Sequence, residues 1–137
     1  ALDQCPAAFR PLVQRDLHTA WAEIATATVD DTARSTAWRN WSRYSQECHI
    51  DPWLRFHSKP SKQTYLLAFA ARVRSGIFGN AVQVGYQTVE KALRHVAQTL
   101  LLAGYDDPRR TYGSKELDLP FRHLLKAYKT KDPAPQP

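Results

Sequence analysis

Residues 86–108 read Tyr-Gln-Thr-Val-Glu-Lys-Ala-Leu-Arg-His-Val-Ala-Gln-Thr-Leu-Leu-Leu-Ala-Gly-Tyr-Asp-Asp-Pro, and this stretch decides the fold class. Its apolar positions Val89, Leu93, Val96, Ala97, Leu100 and Leu101 recur at three- and four-residue intervals, which puts one buried stripe on a helix. Thr88 reads as the N-terminal stop signal. Gly104 falls where a left-handed C-terminal residue goes, and Pro108 follows soon after. The outer face near the start carries Gln87, Lys91, Arg94 and His95. Such a short polar-basic face can read DNA bases, and it can equally be a solvated surface.

The same periodicity extends to both sides of this stretch. Pro6–Ala27 reads as a first helix, with Phe9, Val13, Leu17, Ala20 and Ile24 on one stripe. A second helix is expected from about Asp31 to Cys48, capped by Asp30 or Asp31, with Ala37, Trp41, Tyr44 and Cys48 as its core stripe. His49–Ser61 holds two prolines and reads as a loop that tucks Trp53, Leu54 and Phe56 onto the core. Lys62–Ser75 is a third helix stopped by Gly76, and Ile77–Gly85 is a packed turn rather than a strand. After a polar loop at 109–116, Leu117–Lys129 closes the chain, with Pro120 tolerated in its first turn. The expectation is all-α: a compact bundle of four to five helices.

At 137 residues the chain fits one domain able to bury most of a helical core. Its net charge is +6, and residues 69–137 supply +5 of it, with eleven Lys/Arg against six Asp/Glu. That excess points to an acidic partner, most commonly a nucleic acid. Two cysteines are too few for a disulfide framework, and no signal peptide or long apolar run is present. The expected setting is intracellular, in nucleoid and cytoplasm or in a nucleus, with no membrane partner. The absence of Met and the Pro-rich end at 132–137 read as marks of a piece of a longer protein, the tail resembling a linker.

Catalytic signatures are missing: there is no phosphate-cradling glycine loop, no Gly-x-Ser-x-Gly and no His-Glu-x-x-His. The pairs Asp30–Asp31 and Asp106–Asp107 sit at expected helix ends, where carboxylates cap and form turns. Leu100–Asp107 faintly echoes a homing-endonuclease helix, but it occurs once and a helix end explains it. Cys48, His49 and His57 give three potential metal ligands where a structural zinc site wants four, in paired short spacings. No catalytic residue, metal or cofactor is therefore expected.

The run Thr32–Cys48, with its Ser/Thr-Arg-rich start and Trp-x-x-Trp…Cys-type ending, resembles the first core helix of the N-terminal domain of tyrosine recombinases, the phage-integrase family. Residues 62–76, 88–108 with its Gly-x-x-Asp-Pro stop, and 119–129 are similar to the following helices in the same order. The resemblance implies a SAM-like, core-binding helical domain over residues 30–131. A helical extension precedes it at 1–29, and an interdomain linker starts at 132–137. It implies binding of double-stranded DNA and self-association on DNA, with strand cleavage left to a separate domain, so this chain is not itself an enzyme. Carried over by position, the DNA-facing residues would be Thr32, Arg34, Thr36, Arg39 and Arg43 on one helix, and Thr88, Lys91, Arg94 and His95 on another. The long first helix and the apolar 77–85 segment depart from the family pattern. A different reading is a helical protein–protein module, motivated by that first helix and by Trp21, Trp38 and Trp53.

Overall fold

The computed structural model describes residues 4–27 and 32–133, the side chains of 24–27 excepted. Five α-helices occur among the described residues: α1 (Arg10–Ala27), α2 (Thr32–Glu47), α3 (Lys59–Arg74), α4 (Tyr86–Leu102) and α5 (Leu119–Lys131), with a 3-10 turn at Ala7–Phe9. No strand occurs among the described residues. The fold is all-α, as the periodicity predicts.

α4 is the centre, packing against each of the other four helices. Val89, Leu93, Val96, Ala97 and Leu100 are buried on it, while Leu101, expected inside, lies on the solvent side. Around this stripe close Ala37, Trp41 and Tyr44 of α2, Leu66, Phe69 and Val73 of α3, and Phe121 of α5. Burying each large side chain contributes on the order of 1.5–3 kcal/mol, so this cluster is the main source of stability.

Several boundaries differ from the sequence reading, each for a local reason. The α2 stripe is right through Tyr44, but Cys48 is exposed. The helix ends at Glu47 because His49 turns left-handed, at φ 57°, and the Ile50 N–H closes back on the Ser45 carbonyl at 2.9 Å. His49 thus occupies the position glycine usually takes in such an ending. α3 starts earlier than expected, because Ser58 caps it by accepting from the Ser61 N–H and Pro60 sits in its first turn. That proline starts a helix rather than interrupting one. The Asp30–Asp31 cap lies outside the described residues.

The 49–58 loop follows its expected path only in part. The Trp41 indole N–H donates to the Pro52 carbonyl at 2.7 Å, and Leu54 is buried. Phe56, expected on the core, is wholly exposed. Leu54 and Phe56 both have positive φ, so the backbone throws Leu54 inward and Phe56 out.

The first helix carries the largest correction. Its stripe of Phe9, Val13 and Leu17 is amphipathic as read, but these residues are exposed. α1 docks on α4 along the edge of this stripe, where His18 meets Tyr105 and Trp53, Trp21 lies against Gly104, and Leu17 lines the same cleft. Trp38 and Trp53 are half-buried and packed on each other, so of the three tryptophans behind the protein–protein reading only Trp21 is exposed, and Trp53 sits against the core as expected.

Candidate nucleic-acid interface

α2 and α4 lie side by side, and the turn between α3 and α4 closes the end of the gap between them. The result is a groove of about 400 Å³. Small residues make it: Ala33 and Ala37 on α2, Ala92 on α4, and Gly76 and Gly79 in the turn. Its floor is apolar, with Phe69, Val73, Phe78 and Val84. Its rim is polar, with Thr36 and Asn40 from α2 facing Thr88, Lys91 and His95 from α4. No carboxylate is among the described lining residues.

The helix geometry explains which of the nine sequence-selected residues meet here. Thr88, Lys91 and His95 recur at i, i+3 and i+7 and share one line of α4. Thr32, Thr36 and Arg43 recur at i, i+4 and i+11 along the corresponding line of α2, with Arg39 beside them on the exposed side. Of the nine, Thr36, Thr88, Lys91 and His95 line the groove, and Thr32, Arg39 and Arg43 lie outside its lining along α2, as do Arg34 and Arg94. Arg34 is two positions from Thr36, hence about 200° round the helix, and is half-buried on the opposite flank. Arg94, one turn on from Lys91, lies outside the groove lining and pairs with Glu90 at 3.7 Å. Arg43 is also partly engaged, 4.0 Å from Glu47. Asn40, one turn beyond Thr36, belongs to the rim and was not selected from the sequence, although its i+4 spacing is a usable signal.

The start of α4, and with it the rim, is fixed from a distance. Gly85 is the N-cap and offers no side chain, and Thr88 is not the cap. Instead the Tyr86 N–H donates to the Asp132 carboxylate at 2.8 Å, 46 residues on. The other Asp132 oxygen accepts from Arg74 at 2.5 Å, and Arg74 also donates to the Val84 carbonyl at 2.9 Å and lies over the Tyr128 ring. One buried guanidinium therefore ties α3, the groove-closing turn and the end of α5 to the beginning of α4. The Tyr86 N–H bond first, and then the Arg74 bond, holds the Asp132 carboxyl below its ordinary range despite some burial.

A second buried pair stiffens the far end. Asp107 accepts from the Arg109 backbone N–H at 2.9 Å and from its guanidinium through both oxygens, so this carboxylate forms the turn that the sequence assigns to it. Arg110 adds a fourth contact to Asp107. Neither Asp106 nor Asp107 is paired with another carboxylate in an acid–base arrangement.

Among the described residues no group of three or more His, Cys, Asp and Glu side chains could hold a metal ion, and no helix is long and apolar enough to cross a membrane. Comparison with known families, curated proteins and solved structures returns no match.

Proposed function

We propose that this chain is a helical domain that binds double-stranded DNA, of the core-binding, SAM-like type found in tyrosine recombinases. The observation that carries the reading is the convergence of two helices on one carboxylate-free surface: Thr36 and Asn40 from α2 with Thr88, Lys91 and His95 from α4. Arg39 and Arg43 extend that surface along the exposed side of α2. Helices of this size enter a major groove, where lysine and arginine meet guanine edges or phosphates and amide heads meet adenine. On this reading the domain positions DNA, and strand cleavage belongs to a separate catalytic domain.

Anisotropy titration of a fluorescent duplex at several salt concentrations tests it. Binding should weaken steeply with salt, and Lys91→Ala should lower the slope by about one if Lys91 meets a phosphate. Arg94→Ala should change binding less than Lys91→Ala, because Arg94 lies outside the groove lining and is paired with Glu90. Absence of binding at low salt, or a Lys91→Ala protein indistinguishable from wild type, rejects the reading.

The outward apolar stripe of α1 favours a second reading, a module that associates through this helix. It is compatible with DNA binding, since α1 docks at the C-terminal end of α4 and the groove lies along its N-terminal half.

A further inference from the structure

We propose that the groove between α2 and α4 is also a binding site for a small ligand: a planar apolar body carrying one carboxylate. The inference rests on the groove itself and not on the DNA reading.

Its size falls within the range of small-molecule sites, about 300–1,000 Å³, and such sites combine an apolar lining with a few convergent polar groups. The slot exists because Ala33, Ala37 and Ala92 stand where longer side chains would fill it. The tight turn at Gly76 keeps its end in place, since a Cβ there would lie 2.0 Å from the Val82 carbonyl oxygen. Two of the floor residues, Phe69 and Phe78, are aromatic with ring centroids 5.6 Å apart, and aromatic side chains suit a ring system better than a branched chain.

The rim selects the head group. Lys91 is exposed, and its ammonium makes no ion pair among the described residues. Thr36, Asn40 and His95 can each donate a hydrogen bond toward the same opening. His95 Nδ1 is shut off from solvent and has no hydrogen-bond partner among the described residues, so a ligand acceptor or donor reached by a turn of the ring would be gained without breaking a contact. One cation, several donors and no carboxylate among the described lining residues complement a monoanion with acceptor oxygens. A neutral ligand leaves the ammonium unmatched, and a cation meets repulsion.

The probe is 2-naphthoate, with 2-naphthamide as its neutral counterpart, titrated into the whole chain carrying labelled methyl groups and followed by NMR. We expect saturable shifts at Ala92 and Val84 with a Kd on the order of 0.1–1 mM, and none at Leu101 or Val13. The amide should bind roughly two- to fivefold more weakly, and Lys91→Met should remove most of that difference between the two probes. Ala92→Leu should abolish the shifts at Val84 by filling the slot, and its spectrum reports whether the protein remains folded. The neutral counterpart keeps the test decisive if that variant does not fold. Shifts that fail to saturate, equal affinity for the amide, or shifts centred on Leu17 and Ala103, which line the cleft between α1 and the end of α4, would each overturn the proposal. No DNA is present, so failure here leaves the DNA reading standing, and failure of the DNA titration leaves this one standing.

Discussion

Trp41 carries more of the core than any other single side chain. It is 0% exposed, its ring stacks edge-on to Phe69 with centroids 5.2 Å apart, and its N–H holds the Pro52 carbonyl. Trp41→Ala should cost about 3–5 kcal/mol in urea denaturation. Trp41→Phe keeps most of the packing but leaves the Pro52 carbonyl without its donor, at about 1–3 kcal/mol. This residue was legible, because its place in the 37, 41, 44 spacing leaves it nowhere but inside. Cys48 continues the same spacing and was misread, since periodicity carries no information about a left-handed residue that ends the helix first. Acid behaviour is also set residue by residue. Burial alone would raise the carboxyl of Asp51, but bonds from the Arg55 guanidinium and the Trp53 N–H outweigh it and leave the carboxyl below its ordinary range. Asp118 behaves alike, with Lys59, Thr111 and Gln63 overcoming burial. A lowered folded pKa contributes stability that is present above the unfolded value, about 3.9, and is lost as pH falls through the folded one. The melting temperature should therefore drop as pH falls below about 4, and Asp51→Asn should flatten that part of the profile.

Elements that end on local signals were readable, and those that end on remote ones were not. Gly104 shows the first kind: its φ is 91°, and the Tyr105 N–H returns to the Leu100 carbonyl at 2.9 Å. A Cβ there would also press on the Trp21 ring at 3.3 Å, so Gly104→Ala should both strain the end of α4 and loosen the seat of α1. The start of α4 shows the second kind, because no sequence window contains both Tyr86 and the Asp132 that receives its N–H. Asp132→Ala should raise amide exchange in the first turn of α4 and leave the α4 C-terminal end unchanged. The docking of α1 adds a pH dependence of its own. Burial, and then the Arg55 charge, keep the His18 imidazole below its ordinary pKa, and its Nδ1 hydrogen-bonds the Tyr105 hydroxyl. A histidine whose pKa is lowered by folding contributes stability above the unfolded value, about 6.5, and withdraws it as pH falls through the folded one. Hydrogen exchange corrected for intrinsic rates should show α1 opening more often at pH 5 than at pH 7, with α4 unaffected; equal protection of α1 at both would rule this docking role out.

The whole molecule presents two unlike surfaces along α4: a polar-rimmed groove beside its N-terminal half and an apolar helix docked at its C-terminal end. The groove was half visible in the sequence. Spacing alone aligns Thr88, Lys91 and His95, but nothing in it says that α2 and α4 are neighbours, or that Arg34 and Arg94 lie outside the groove lining. The apolar surface was visible as a pattern and invisible as a direction, because an amphipathic stripe states that a face seeks burial without naming what covers it. Phe9, Leu12, Val13 and Leu17 remain at least 37% exposed, and contiguous apolar patches on soluble proteins mark sites of association. A second copy of the chain covering this stripe predicts a mass that rises with concentration. Light scattering should then report dimer at tens of micromolar, where an interface of roughly 1,200 Å² or more is needed for a stable pair. Phe9→Glu together with Val13→Glu should return the protein to monomer at the same concentration. Because both positions are already solvent-facing, the change in folding stability should stay within about 0.5 kcal/mol, which separates lost association from lost folding. A wild-type monomer throughout that range would assign the stripe to a different partner or to none. Unchanged DNA affinity in the double variant would then show that the two surfaces act independently.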